Sequence, residues 1–220
     1  MIWRFTDSEL QPFEIPAAGL EATALAMARV GDYRGELSES ERREMVPMAE
    51  VRQFGFASGR YCAKLAQLDV GLQPVPVLRD ARVPVWPAGC TGSITHSKQI
   101  AAAVVSRTLT GVGVDVEEVH RLDAKLYDML FTDAERDKLP RYGVDADTVM
   151  FSAKEAGYKA IYPLGQKFIG FQDAEVDLDT AHHTFRIRYL GTHPPNKALD
   201  HGRGHWVRCA GHVLTLFVIT

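Results

Sequence analysis

Two stretches of this chain repeat each other in kind and in spacing. Leu37-Ser38-Glu39-Ser40-Glu41-Arg42-Arg43-Glu44-Met45 is echoed by Phe131-Thr132-Asp133-Ala134-Glu135-Arg136-Asp137-Lys138-Leu139. Both contain S/T-x-x-E, a capping box in which hydroxyl and glutamate satisfy free amides at a helix start. Each is followed by a second helical pattern, Phe56-Ala57-Ser58-Gly59-Arg60-Tyr61-Cys62-Ala63-Lys64 and Phe151 through Lys159. The offset is 94 residues at the caps and 95 at the helices. A near-constant offset across two elements points to a duplicated unit, and so to two similar halves.

After its long helix, each half reaches β-type runs. In the first, Ile100 to Val105 and Val112 to Glu117 flank Arg107-Thr108-Leu109-Thr110, which reads as a hairpin turn. In the second they are Thr184 to Tyr189, Trp206 to Cys209 and Val213 to Ile219, with Gly191 to Gly204 reading as a Gly-, Pro- and His-rich loop. The predicted class is therefore α+β. It has two pseudo-twofold-related halves, 1–110 and 111–220, each an antiparallel sheet packed on a long helix.

Composition adds exclusions. With 220 residues, 46% hydrophobic and 24% charged, the chain reads as an ordinary globular protein with a real core. Its net charge of −3 disfavours a general nucleic-acid binder. Three cysteines without a C-x-x-C spacing disfavour a disulfide framework or zinc knuckle, and reduced thiols in a cytoplasmic protein are expected. Met1-Ile2-Trp3-Arg4-Phe5 does not open a secretory signal, and no apolar run approaches the ~20 residues that span a bilayer.

Gly111-Val112-Gly113-Val114-Asp115-Val116-Glu117 concentrates acids on a strand. Alternate side chains share a face, so Val112, Val114 and Val116 enter the core while Asp115 and Glu117 project together. Gly111 and Gly113 lie on the acidic face and are expected to leave room for a ligand. On the helix, Asp147 and Thr148 offer caps and Pro163 a stop, with an apolar stripe of Ala153, Gly157, Ala160, Ile161 and Leu164. Glu155 and Lys159 lie one turn apart, with Lys154 beside them. Three carboxylates call for a cation, and the lysines for a ligand bearing negative charge. Each piece alone has a plain alternative: acids are common on solvated strands, and an i,i+4 ion pair contributes only ~0.3–0.5 kcal/mol.

The combination G-[VI]-D-x-E, then [FW]-S-x-K-E-A-x-x-K, resembles the signature of 4′-phosphopantetheinyl transferases. Here it runs Gly113 to Glu117, then Phe151-Ser152-Ala153-Lys154-Glu155-Ala156-Gly157-Tyr158-Lys159. Gly59-Arg60-Tyr61-Cys62-Ala63, Trp86-Pro87-Ala88-Gly89, Gly92-Ser93-Ile94-Thr95-His96 and the upstream Arg52 resemble the enterobactin-synthase type, which serves siderophore and polyketide synthesis. The chain departs from that type at Ser97-Lys98-Gln99-Ile100 and at Glu118-Val119-His120.

The resemblance implies transfer of the phosphopantetheine arm of coenzyme A to a serine of an apo acyl or peptidyl carrier protein, releasing 3′,5′-ADP. It implies magnesium or manganese on Asp115, Glu117 and Glu155, and Glu155, Lys159 and His96 as catalytic residues. Coenzyme A would be bound by Arg52, Arg60, Arg79, Ser93, Thr95, His96, Lys154 and Lys159. A cytoplasmic monomer without nucleic-acid or membrane partners is expected. Another metal-dependent phosphodiesterase or nucleotide hydrolase would use similar acids and lysines, and a non-catalytic coenzyme A-binding module is a third reading.

Overall fold

The computed structural model describes residues 1–11, 20–81 and 83–220. The chain divides into two compact units, the first running to Leu109 and the second from Thr110 to Thr220.

The first unit contains β1 (Ile2–Phe5), β2 (Thr23–Arg29), α1 (Glu39–Met45), α2 (Glu50–Asp69), the short β3 (Arg79–Asp80) and β4 (Val83–Pro84), β5 (Thr91–His96) and β6 (Ile100–Ser106). Its main sheet has the order β1-β2-β6-β5. β1 runs parallel to β2, so this sheet is mixed and not wholly antiparallel. One face is floored by Ala24, Ala26, Ala28, Ala101 and Ala103, against which Cys62, Ala63 and Ala66 of α2 are buried. Such small side chains let a helix lie close to a sheet. Gly55 continues this on α2: a Cβ there would stand 2.7 Å from the His96 ring.

The second unit contains β7 (Gly111–Glu118), α3 (Tyr127–Leu130), α4 (Asp133–Tyr142), α5 (Ala146–Gly165), β8 (Ala174–Asp179), β9 (Thr184–Tyr189), β10 (Arg203–Cys209) and β11 (His212–Ile219). Its five strands are antiparallel in the order β7-β11-β10-β9-β8. α5 buries Val149, Met150, Ala153, Ala156, Ala160 and Ile161 against Val213, Phe217 and Ile219 of β11 and the apolar residues of β8 and β9. Among the described residues, no helix is long and apolar enough to cross a membrane.

Both capping boxes form as the sequence predicts, at Ser38/Glu41 and Thr132/Glu135. Each glutamate also reaches beyond its helix. Glu41 Oε1 accepts the Val77 N–H at 3.0 Å, and Glu135 Oε1 accepts the Val176 N–H at 2.7 Å. A single buried carboxylate thus ties a helix start to a distant segment in each unit.

Several expectations are corrected. Arg107–Thr110 is not a hairpin turn, because β6 and β7 belong to different sheets and those residues carry the chain from one unit to the other. The hairpin instead joins β5 to β6, where Ser97 N–H bonds the Ile100 carbonyl at 2.8 Å. Gly191–Gly204 is not simply a loop: it holds a 3-10 helix, Pro194–His201, and the start of β10. α5 starts at Ala146 behind Asp145, ahead of the expected caps. It runs past Pro163 to Gly165, since a proline costs only the bond of its own missing N–H plus local adjustment near a helix end. Leu164 leaves the apolar stripe and is 40% exposed.

Gly113 decides how α5 meets β7. A Cβ there would collide with the Ala156 carbonyl oxygen, and one at Gly111 would stand 2.7 Å from that of Ala160. The two glycines admit the helix backbone, not a ligand as expected. Gly113→Ala should therefore cost about 1–3 kcal/mol by overpacking. Gly35→Ala, at a site with open space around it, serves as the control and should change thermal stability little.

Candidate functional site

The close seating of α5 on β7 brings five side chains together. Asp115 is 4% exposed and faces the helix. Its Oδ1 accepts from Lys159 Nζ at 2.6 Å, and its Oδ2 accepts from Ser152 Oγ at 2.9 Å. Lys159 Nζ also donates to the Val114 carbonyl at 3.2 Å. Glu117, two residues along the strand, and Glu155, one turn before Lys159, are half-buried at the same place.

The acids feel each other's charge. Burial, reinforced by the charges of Asp115 and Glu155, pushes the Glu117 carboxyl up to about 7 against the pull of Lys159 and Arg121. Burial and the Asp115 charge push Glu155 upward too, with Lys159 opposing. Carboxylates that repel in a partly desolvated place are held less readily ionised than in water, and a cation between them would relieve that repulsion. Among the described residues, no three acids, histidines or cysteines stand as a ready-made metal cage. The donors are nevertheless all oxygens, the set that hard divalent cations take.

Ser152 and Thr215 went unassigned in the sequence. Thr215 Oγ1 donates to the Ser152 carbonyl at 2.9 Å, its hydroxyl lies 2.8 Å from Ser152 Oγ, and it is the β11 register partner of Asp115. Ser152 could have been found from its place in the motif. Thr215 depends on strand register, which no local pattern reveals.

Lys154 is not part of this group. Its ammonium points into the interior of the second unit, where it donates to Glu135 Oε2 at 2.6 Å and to the carbonyls of Leu130 and Phe171. Adjacent helix positions diverge by about 100°, so neighbouring Glu155 and Lys154 serve different faces. Beside Glu155 lies a small apolar cavity of about 100 Å³, walled in part by Tyr158, Phe168, Ile169 and Phe171.

The remaining predicted residues belong to the first unit. Arg60 of α2 is 7% exposed, with Nε donating to the Val77 carbonyl at 2.8 Å and its guanidinium 4.3 Å above the Phe56 ring. Its buried Nη2 has no hydrogen-bond partner among the described residues. Burial outweighs the neighbouring Glu41 and Glu44 and depresses its ionisation to about 10. Arg79 also stands near this grouping, 5.6 Å from the Phe56 centroid and 3.4 Å from Glu44 Oε2. Arg52 is exposed in the first turn of α2.

On β5 the expected trio divides. His96 rests on Gly55 of α2, whereas Ser93 and Thr95, by strand alternation, are buried on the opposite face. The three therefore do not form one contact surface.

The first unit holds an arginine pair near an aromatic ring and the second an acid-lysine cluster, and the sequence of each matches a known family. Residues 26–106 match the 4′-phosphopantetheinyl transferase N-terminal domain, and residues 111–216 the 4′-phosphopantetheinyl transferase superfamily. The chain is 35% identical to the 4′-phosphopantetheinyl transferase PptT of Mycobacterium tuberculosis, over 76% of this chain and 79% of that protein. It belongs to the 4′-phosphopantetheinyl transferase superfamily.

The similarity extends to the transferase Npt of Nocardia iowensis, 30% identical over 90% of this chain and 95% of the relative. Enterobactin synthase component D of Escherichia coli is 40% identical over 47% of this chain and 52% of its own length. Such relatives place this phosphopantetheinyl transferase in the type that its Trp86 to His96 segment resembles.

Glu117 gives a pH test. A carboxyl raised in the folded state adds stability below its ordinary range, and loses that contribution as pH rises toward about 7. Glu117→Gln should therefore raise the melting temperature at pH 8 and leave it nearly unchanged near pH 4. Differential scanning calorimetry at the two pH values checks this. An equal shift at both would contradict the raised ionisation.

Proposed function

We propose that this transferase moves the 4′-phosphopantetheine arm of coenzyme A to a serine hydroxyl of an apo acyl or peptidyl carrier protein, releasing 3′,5′-ADP. The observation that carries the reading is the Asp115, Glu117, Glu155 and Lys159 cluster, built on the two segments that match the superfamily.

In this reaction the serine oxygen forms a bond to the β-phosphorus, the bond from that phosphorus to the bridging oxygen breaks, and the serine proton must leave. Phosphoryl transfer of this kind is accelerated chiefly by positioning and by charge stabilisation. Asp115, Glu117 and Glu155 are the residues that would hold magnesium, which when bound neutralises the pyrophosphate oxygens. Glu155 is the candidate to accept the serine proton, directly or through a water, because it stands half-buried beside Asp115 and one turn before Lys159. Lys159 supplies an ammonium next to the acids and is the candidate for the pyrophosphate.

Arg60 and Arg79 are proposed to read the 3′-phosphate. Arg60 offers a buried N–H without a partner among the described residues, and a guanidinium fork matches phosphate geometry. Arg52 and His96 are candidates for the rest of the nucleotide. The apolar cavity beside Glu155, about 100 Å³, is a candidate for an apolar part of the uncharged pantetheine chain, whose burial gains about 25 cal/mol per Å² of apolar surface.

Incubation with coenzyme A, magnesium and a panel of apo carrier domains, followed by intact-mass measurement of the carriers, tests the reading. The expected result is a mass gain of one phosphopantetheine on at least one carrier; none on any would sink it. Glu155→Gln should slow transfer by roughly 10²–10³-fold, a typical loss for one catalytic group, while coenzyme A still binds. Undiminished transfer would remove Glu155 from its role. Arg79→Gln should weaken coenzyme A by about tenfold, the scale of one charged hydrogen bond, with little effect on dephospho-coenzyme A. Equal losses for both ligands would mean that Arg79 does not read the 3′-phosphate.

A further inference from the structure

We propose that Lys154 is a positioning residue and not a phosphate ligand: its buried ammonium staples the wall of the apolar cavity beside Glu155. An ammonium has three donors. Here they go to Glu135 Oε2 at 2.6 Å, the Leu130 carbonyl at 2.9 Å and the Phe171 carbonyl at 2.6 Å. The side chains of the pair are 3% and 2% exposed. Every donor is used inside the unit, and none remains for a substrate phosphate.

The acceptors show what the staple holds. Leu130 ends α3, and Glu135 belongs to the capping box of α4, whose Thr132 N–H it accepts at 2.9 Å. Glu135 Oε1 accepts the Val176 N–H of β8. Phe171 is the remaining acceptor, in the segment between α5 and β8 that lines the cavity. Its ring packs 5.6 Å from Phe151. Nearby, the Phe168 ring lies 5.7 Å from Tyr158 of α5. Next to Phe171, Gln172 bonds the carbonyls of Met129 and Phe131, which reinforces the same junction. Lys154 thereby fixes where the cavity wall stands relative to Glu155, its neighbour on α5.

The effect on substrate rests on the function proposed above, because it assumes that the cavity receives the pantetheine chain. The staple itself does not depend on that assumption. Glu135→Gln separates the two roles available to Lys154. Glutamine's carbonyl oxygen can still accept the Thr132 N–H, so the helix start survives, while the ammonium loses its buried counter-charge and the Val176 N–H, now facing an NH2, loses its acceptor; Lys154→Met, which leaves Glu135 in place, separates these two effects. If Lys154 holds the cavity wall, the variant loosens the wall. A phosphate-binding Lys154 would instead be freed, and coenzyme A would bind as well or better.

The experiment compares the full-length wild type, Glu135→Gln and Lys154→Met in coenzyme A binding, 3′,5′-ADP binding, steady-state transfer and amide hydrogen exchange. For Glu135→Gln the expected result is a KM for coenzyme A raised about fivefold or more, a small part of what removing one partner of a buried pair costs the fold, with kcat within about twofold. The affinity for 3′,5′-ADP, which lacks the arm, stays unchanged, and exchange across residues 168–173 quickens. Lys154→Met is expected to show the same selective loss. Unchanged or tighter coenzyme A binding in Glu135→Gln would overturn the proposal, as would equal loss of both ligands in Lys154→Met. Should Lys154→Met fail to fold, Glu135→Gln decides alone. A wild type that binds no coenzyme A would overturn the functional reading instead, and exchange at 168–173 would still decide the staple.

Discussion

The second unit depends on one close approach, that of the α5 backbone onto β7. Gly111 and Gly113 remove the side chains that would stand against the Ala156 and Ala160 carbonyls, and the helix drops onto the strand. Only then does Asp115, next on that face, meet Lys159 and Ser152 within hydrogen-bond distance. The G-x-G-x-D-x-E run is therefore a seat followed by its cargo. Its first half sets the depth of the helix, and its second half presents the acids that the helix must reach.

A comparable economy operates at the helix starts. An N3 glutamate needs only one oxygen to close its capping box, and Glu41 and Glu135 lend the other to Val77 and Val176. The two units differ in what surrounds that carboxylate. In the second, Lys154 pairs with it directly; in the first, Arg60 is electrostatically supported by Glu41 while bonding the Val77 carbonyl. Each long helix thus sends one cation toward the start of the helix before it. One cation is consumed there, whereas the other retains a buried N–H with no partner among the described residues.

How much of this was legible in the sequence follows from the range of the interactions. The capping boxes, the long helices and the acidic strand are local patterns, and each appears where its pattern lies. The cluster of Asp115, Glu117, Glu155 and Lys159 was legible because strand alternation and one helical turn fix which residues share a face. Lys154 was grouped with the phosphate-binding residues because it stands beside Glu155 in the same motif. Its partner Glu135 lies in another helix, already explained by its capping role. Arg107–Thr110 was misread because a short polar turn between two β runs looks the same whether the strands pair or part. Thr215 was invisible, since only the pairing of β7 with β11 sets it opposite Asp115.

That pairing also governs the order in which the molecule is completed during synthesis. The described strands of the first unit are all made once Ser106 is, so its sheet can close while the rest of the chain is still being translated. The second cannot: β7 is made first among its strands, yet among the described residues it is an edge strand whose only neighbour, β11, is made last. Until Ile219 has emerged from the ribosome, Asp115 has no strand beside it and Ser152 no Thr215. A nascent or prematurely terminated chain therefore carries an assembled arginine-bearing unit and an unassembled acidic one, and acquires its chemistry only at the end of translation.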